Sequence, residues 1–210
     1  MFYWLLKTAL TPVLRLFYRV RVNGLQHVPE AGPAILASNH LSFSDSIFLP
    51  LVLRRRITFA AKAEYFENPR TAWIFRALGQ IPVKRGGGVA AQRALDSAKE
   101  ILDDGGLFGI YPEGTRSRDG RLHRGRTGVA RLAMECRVPV LAVGMVGTAE
   151  LQPVGRTLPH VFKPVEVNIS QPVCLDDDSL EQTSSSQAQR EITDDIMLAV
   201  GRQSGQEYLA

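Results

Sequence analysis

Residues 34–53 read AILASNHLSFSDSIFLPLVL, and this stretch decides the fold class. Its first part, residues 34–39, is a short apolar run after a proline and predicts a buried strand. A polar turn follows, and residues 44–53 then have the pattern of a helix that opens with serine and aspartate, both suited to a helix N-terminus. A strand, a polar turn and a helix in immediate succession are typical of an α/β protein.

Downstream of this stretch, strands and helices continue to alternate. Apolar runs predict further strands at residues 57–61, 80–83, 107–111, 138–146 and 165–169. Helical spacing predicts helices at residues 89–104, 126–136 and 187–202, and the polar stretch 176–186 has the composition of a flexible connection. We therefore expect one α/β domain over residues 21–210, built on a central, mostly parallel or mixed sheet flanked by helices.

Upstream of this domain, residues 1–20 read MFYWLLKTALTPVLRLFYRV, an apolar and aromatic segment interrupted by Lys7, Pro12 and Arg15. Its longest uncharged stretch between the two cations is far shorter than the roughly 20 residues that a membrane-spanning helix needs. The segment also lacks the small-residue cleavage site of a signal peptide. We expect an amphipathic helix that lies in a membrane interface, with its aromatic side chains as anchors. A helix packed on the core of its own domain is the alternative.

The charge of the chain is uneven. Its net charge of +4 combines a net +10 over residues 1–131 with a net −6 over residues 132–210. A basic region favours an anionic partner such as a phosphate or an acidic lipid surface, although a solvated basic face would have the same composition. Because no stacking platform or groove-reading helix is evident, we expect no nucleic-acid partner.

Three polar clusters directly follow predicted strands, at residues 39–45, 84–88 and 112–118. Functional side chains of α/β proteins collect at the carboxyl edge of the sheet, where these clusters would meet. In the first cluster, His40 comes just after the strand and Asp45 falls in the first turn of the next helix. A carboxylate on one imidazole nitrogen fixes the tautomer and leaves the other nitrogen free to act as a general base. A hydrogen-bonded surface pair is the alternative.

The other two clusters are basic and rich in glycine; they contain the sequences YPEGTRSR and KRGGG. Arginine forms bidentate hydrogen bonds with phosphate oxygens, lysine and threonine add donors, and glycine lets the backbone approach a ligand closely. The residues that could bind a phosphate in this way are Lys84, Arg85, Gly114, Thr115, Arg116 and Arg118. A charged surface turn and a mobile loop are the alternatives.

Other catalytic signatures are absent from the sequence. Because no Gly-x-Ser-x-Gly motif occurs, the candidate base would act directly on a substrate hydroxyl rather than on a serine nucleophile. Phosphate-binding Walker, dinucleotide-binding and zinc-protease motifs are also missing. The two cysteines, Cys136 and Cys174, have no zinc-binding spacing. We therefore expect neither a metal nor a cofactor.

With these residues in view, the chain resembles the glycerolipid acyltransferase family, which includes the glycerol-phosphate and lysophosphatidate acyltransferases. Four blocks match the family in order, and four ordered blocks are far more specific than one. They are Asn39-His40 with Asp45, residues 79–85 (GQIPVKR), residues 113–117 (EGTRS) and residues 138–143 (VPVLAV). In the second block, Lys84 stands where an acidic residue is common, which adds positive charge.

The resemblance implies transfer of an acyl group from acyl-CoA or acyl-carrier protein to the free hydroxyl of 1-acylglycerol-3-phosphate, giving phosphatidic acid without an acyl-enzyme. It implies that His40 is the base and that Asp45 orients it. It also implies a peripheral or monotopic protein on the cytoplasmic face of the cell membrane. The residues that would bind the acceptor or shape its phosphate pocket are Lys84, Arg85, Glu113, Gly114, Thr115 and Arg116.

Two alternatives stay open at this point. The acceptor could instead be glycerol-3-phosphate, another lysophospholipid or a glycolipid. The chain could also be a non-catalytic lipid-binding module, which would bind membranes without acyl transfer and would need no oriented base.

Overall fold

The computed structural model describes residues 2–83, 87–156, 158–174 and 185–210. Its helices are α1 (Phe2–Phe17), α2 (Asp45–Val52), α3 (Glu64–Glu67), α4 (Pro69–Ala77), α5 (Gly87–Asp103), α6 (Gly128–Cys136), α7 (Thr148–Leu151) and α8 (Ser186–Ser204). Its strands are β1 (Val20–Asn23), β2 (Ala34–Ser38), β3 (Ile57–Lys62), β4 (Ile81–Val83), β5 (Leu107–Ile110), β6 (Leu122–His123), β7 (Val140–Val146), β8 (Val165–Pro172) and β9 (Tyr208–Leu209).

Seven of the described strands form one sheet, in the order β1-β8-β7-β2-β5-β3-β4. The strands from β7 to β4 run parallel, whereas β8 is antiparallel to β7 and β1 runs parallel to β8. This confirms the expected mostly parallel or mixed sheet. Ala37 of β2 pairs with Ile110 of β5, so the loops that follow these two strands begin side by side at the carboxyl edge.

Two apolar cores lie on opposite faces of this sheet. Ile35 of β2 belongs to the core that α5, α6 and α8 cover, while the next residue, Leu36, belongs to the core on the side of α1 and α2. All five residues of β2 are buried, as expected for a central strand covered on both faces. The expected single α/β domain is thereby confirmed.

Most elements lie where the sequence places them, but several were missed. Apolar periodicity did not reveal β1, α3, α4, α7 or the short parallel pair β6 and β9. The predicted strand at residues 165–169 is part of β8, which alternates between buried and half-buried residues and has β1 on its outer side. Of the cluster at residues 84–88, Gly87 and Gly88 begin α5 and residues 84–86 lie outside the described residues. Of the expected connection, residues 176–184 lie outside the described residues.

A helix, α1, occupies the place of the expected N-terminal segment, and its contact with a membrane stays a prediction. The Lys7 ammonium group donates hydrogen bonds to the carbonyls of Pro50 and Leu53, so α1 is anchored against the end of α2. Within the ranges that the structure describes, no helix combines the length and apolarity needed to cross a bilayer. The exposed apolar side chains of α1 are Trp4, Leu5, Leu10, Val13, Leu16 and Phe17.

Gly144 lies in β7 where α8 packs closely on the sheet. A Cβ atom at this position would lie 2.2 Å from the backbone carbonyl carbon of Gln203. Because backbone would have to move, we expect Gly144→Ala to lower the free energy of unfolding by about 2 kcal/mol. The control is Gly88→Ala, since beyond the adjoining helix no described residue lies within 4 Å of that Cβ position and alanine favours a helix. Thermal unfolding followed by circular dichroism measures both, and equal melting temperatures would contradict the predicted clash.

Candidate active site

His40 and Asp45 are in direct contact at the carboxyl edge of the sheet. His40 lies two residues after β2, and Asp45 is the first residue of α2. The His40 Nδ1 atom lies 2.9 Å from Asp45 Oδ2. The same oxygen accepts the backbone N–H groups of Leu41 and Ser42, each at 2.8 Å. Because a carboxylate oxygen faces Nδ1, that nitrogen carries the proton and Nε2 keeps its lone pair.

The surroundings of the pair suit proton transfer. Asp45 is fully buried, and its second oxygen, Oδ1, accepts no hydrogen bond within the described part of the chain. The His40 side chain is only partly buried, and its Nε2 atom has no hydrogen-bond partner among the described residues. A buried carboxylate interacts strongly with a charge that develops on the adjacent ring, because water screens it little. The arrangement can therefore accept a proton at Nε2 from a group that enters from solvent.

The turn that holds this pair is fixed from two further directions. The Asn39 side chain both donates to and accepts from the backbone of Met145 in β7, at 2.9 and 2.7 Å. The hydroxyl groups of Ser42 and Ser44 donate to the carbonyl and side-chain oxygens of Gln152, at 2.8 and 2.6 Å. These buried hydrogen bonds hold the imidazole in one place before any substrate binds.

Tyr111, the residue after β5, stacks on the imidazole. The two ring centroids are 3.9 Å apart and the planes differ by 12°. The phenol oxygen lies 2.9 Å from the hydroxyl of Ser46, and the ring also stacks on Phe59. Burial raises the pKa of Tyr111 well above its ordinary value, and the negative charge of Asp45 adds to this, so the phenol stays neutral. The sequence pattern places Tyr111 after a strand but does not reveal the stacking, because the pairing of β5 with β2 follows only from the structure.

We expect the Tyr111 ring to position His40, so its loss should lower turnover more than substrate binding. For the expected acyl transfer, Tyr111→Leu should lower kcat about tenfold with little change in KM. The reason is that a stacked pair contributes about 1 kcal/mol or more and fixes the plane of the His40 ring. Tyr111→Phe keeps the ring and should stay near the parent kcat. Steady-state kinetics of the two variants check this; equal losses of kcat would show that the hydroxyl, and not the stacking, is what matters.

The loop at residues 113–117 wraps around the backbone of His40. Glu113 Oε1 accepts the N–H of His123 at 2.9 Å, and its Oε2 accepts the N–H of His40 at 3.4 Å. The N–H of Ser117 donates to the carbonyl of His40 at 2.8 Å. Glu113 is buried, and burial raises its pKa. Since both of its oxygens face backbone donors, the geometry favours a supporting role for Glu113. Its part in shaping the phosphate pocket, which the family resemblance implies, stays a prediction.

The outer side of this loop carries the residues expected to bind a phosphate, and their role stays a prediction. Gly114 has a φ of +70°, and a Cβ atom there would lie 2.9 Å from Nε of Arg126. Thr115 is exposed and Arg116 is half-buried. Arg116 makes no hydrogen bond or ion pair with the residues that the structure describes, so its guanidinium is available for a ligand. Two further residues expected at this site, Lys84 and Arg85, lie outside the described residues, so their role stays a prediction.

Aromatic rings border the turn at residues 39–45, which carries His40 and Asp45, on the side of α3 and α4. Phe43, which lies between His40 and Asp45, has its ring centroid 6.1 Å from that of Tyr65 and 6.5 Å from that of Phe75. Tyr65 and Phe75 stack at 4.8 Å. These rings form an apolar wall at the site. Apolar patterning singles out Phe43 but not Tyr65 or Phe75, because α3 and α4 themselves were not predicted.

Comparison with known proteins gives consistent matches. The sequence model of the acyltransferase family matches residues 19–146. A chloroplastic 1-acyl-sn-glycerol-3-phosphate acyltransferase of Arabidopsis thaliana is 34% identical over 140 residues, which are 66% of this chain and 39% of that protein. The human 1-acyl-sn-glycerol-3-phosphate acyltransferase alpha is 29% identical over 128 residues, 60% of this chain and 45% of that protein.

A solved structure agrees with these matches. The crystal structure of the 1-acyl-sn-glycerophosphate (LPA) acyltransferase PlsC from Thermotoga maritima is similar with a TM-score of 0.67 and 31% identity, over 87% of this chain and 71% of that one. The chain matches less than half the length of the two curated relatives above. The family match nevertheless contains the His40–Asp45 turn, Tyr111 and the loop that carries Arg116. The chain therefore belongs to the acyltransferase family.

Proposed function

We propose that this protein transfers a fatty acyl group from an acyl thioester to the free hydroxyl of 1-acylglycerol-3-phosphate, giving phosphatidic acid. The observation that carries the proposal is the buried Asp45 carboxylate bonded to Nδ1 of the partly exposed His40 ring, whose backbone carbonyl accepts the N–H of Ser117 in the loop of Arg116. The relatives and the solved neighbour described above are all named as acyltransferases for this acceptor. The donor thioester is carried by coenzyme A or by acyl-carrier protein.

In the first half of the reaction, Nε2 of His40 takes the proton of the acceptor hydroxyl as its oxygen attacks the thioester carbonyl carbon. Asp45 stabilises the positive charge that develops on the ring and keeps Nδ1 protonated. The acceptor phosphate would lie against Arg116, with the backbone at Gly114, the hydroxyl of Thr115 and the cations Lys84 and Arg85 as further donors. These contacts place the hydroxyl at the base, which removes much of the entropic cost of the reaction.

In the second half, the tetrahedral intermediate collapses and the carbon–sulfur bond breaks. The departing thiolate takes the proton from Nε2, so the ring returns to its starting state and the thiol is released. No covalent bond to the protein forms in this sequence. The acyl chain would lie along the apolar wall of Phe43, Tyr65 and Phe75, because a fatty chain is stabilised there by removal from water.

The proposal also includes attachment of the protein to the cytoplasmic face of the cell membrane through residues 1–20. The exposed apolar side chains of α1, together with Arg15 in its last turn, have the composition of a helix that lies in a bilayer interface. Peripheral or monotopic attachment would let the lipid acceptor reach His40 without leaving the bilayer.

The test is a thiol-release assay with purified protein, palmitoyl-CoA or palmitoyl-acyl-carrier protein, and 1-acylglycerol-3-phosphate, followed by mass spectrometry of the product. We expect phosphatidic acid together with stoichiometric free thiol. A panel with glycerol-3-phosphate, lysophosphatidylcholine and a lysoglycolipid identifies the preferred acceptor. Higher kcat/KM on an acceptor without a terminal phosphate would overturn the assigned substrate, and no transfer to any acceptor would favour a lipid-binding module.

A further inference from the structure

A loop next to the end of α1 carries apolar side chains into solvent. In this loop, residues 158–163, the side chains of Leu158, Val161 and Phe162 are 75%, 54% and 69% exposed. Single exposed apolar residues are ordinary on a protein surface, whereas several in one place mark contact with another apolar phase.

The loop is joined to α1 by a strained residue. Phe162 has a φ of +62°, which is costly for a bulky side chain and persists only where neighbouring contacts fix it. Here its N–H donates to the carbonyl of Phe17 at 3.0 Å, and the two rings lie 5.9 Å apart. Leu16, beside Phe17, is 76% exposed. We call these side chains together the apolar patch: Leu16, Phe17, Leu158, Val161 and Phe162.

Cations border the apolar patch on both of its segments. Arg15 and Arg19 flank the part in α1, and Arg156 and Lys163 flank the part in the loop. The three arginines are exposed, and Lys163 lies 3.8 Å from Glu150. Neither segment of the patch contains an acidic residue. Apolar side chains among cations are complementary to a bilayer interface with anionic headgroups.

Hydrogen bonds connect the same loop to the turn at residues 39–45, which we call the catalytic turn under the proposed function. His160 of the loop donates its N–H to the carbonyl of Leu151 at 2.7 Å. Gln152, which follows Leu151, accepts hydrogen bonds from the hydroxyl groups of Ser42 and Ser44. A surface that holds the loop would therefore also hold the turn that carries the base.

We propose that the apolar patch inserts into the interface of a bilayer containing anionic lipid, with residues 158–163 as a membrane-contact element beside α1. This inference rests on the proposed function, because an acyl acceptor that resides in the bilayer requires the catalytic turn at its surface. The loop fixes the depth and orientation of His40 relative to the acceptor headgroup. The strained backbone at Phe162 serves to keep its ring directed outward.

The test compares the parent protein with the double variant Leu158→Ser/Phe162→Gly. Glycine suits a positive φ, so this change removes the ring and relieves strain instead of unfolding the loop. The control is Leu198→Ser in α8, which is 46% exposed and lies on the opposite face of the sheet. Sedimentation with phosphatidylcholine vesicles that contain phosphatidylglycerol measures binding. We expect the double variant to bind at least about tenfold more weakly than the parent, and the control to bind as the parent does.

A second readout separates this inference from the proposed function. Acyl transfer to an acceptor dispersed in detergent micelles should be similar for the parent and the double variant, whereas transfer to an acceptor in vesicles should fall with binding. Parent protein without acyl transfer in micelles would refute the proposed function while vesicle binding could still be measured. Equal vesicle binding by parent and double variant would overturn the inference. So would a concentration-dependent dimer that the double variant loses while vesicle binding is unchanged, since the patch would then join two copies of the chain.

Discussion

Replacement of His40 by alanine is expected to lower kcat of acyl transfer by about 10²–10⁴-fold, because it removes the group that accepts the hydroxyl proton. The fold should persist, since the ring is partly exposed and Asp45 Oδ2 keeps the N–H groups of Leu41 and Ser42. His40→Asn is the second variant, because its amide can still donate to Asp45 while no base remains in place of Nε2. Thiol release and circular dichroism, measured together, check both variants.

Two variants, Asp45→Asn and His123→Ala, compare what a buried and an exposed histidine–aspartate pair contribute to activity. The asparagine removes the buried charge and should also lower kcat steeply, because the imidazole loses both its fixed tautomer and its counter-charge. His123 Nε2 lies 2.9 Å from Asp119, the same separation as in the His40 pair, but both side chains are exposed. Because exposed pairs contribute little, His123→Ala should keep most of the activity. A folded His40→Asn protein with near-normal turnover would remove His40 from the chemistry.

The sequence was most informative where one short segment contains the whole feature. The strand, the turn and the first helical residue that place His40 and Asp45 all lie within residues 34–53, so local pattern sufficed to predict their proximity. The alternation of strands and helices likewise predicted the layered architecture. The direction of β8 did not follow from the sequence, because its pairing with β7 depends on a long connection through α7 and the segment after it.

Features that join distant segments were beyond reach of the pattern. Tyr111 meets His40 only because β5 happens to neighbour β2 in the sheet, which no local signal reveals. The pattern also did not reveal that the oxygens of Glu113 face the backbone N–H groups of His40 and His123. A buried carboxylate must accept hydrogen bonds from nearby donors, and which donors lie near it depends on the tertiary structure.

Replacement of Arg116 by glutamine is expected to lower kcat/KM for 1-acylglycerol-3-phosphate by about 10–100-fold, chiefly through KM. A charge-assisted hydrogen bond contributes about 1.5–3 kcal/mol, and the guanidinium makes no such bond to the described residues in the absence of substrate. Arg116→Lys keeps the charge but loses the planar fork, so it should recover only part of the loss. The control is Arg202→Gln, which removes an exposed cation in α8, outside the loop that carries Arg116.

The acceptor supplies the decisive comparison for Arg116. With 1-monoacylglycerol, which lacks the phosphate, the parent protein and Arg116→Gln should react at the same low rate, because the contact at issue does not exist. The effect of Arg116→Gln on kcat/KM is compared between the two acceptors, and the difference between these two effects measures the coupling of the side chain to the phosphate. Any general effect of the substitution on the loop is common to both acceptors and cancels. If Arg116→Gln slowed both acceptors equally, the arginine would support the loop around His40, as Glu113 and Ser117 do, and the phosphate would be bound elsewhere.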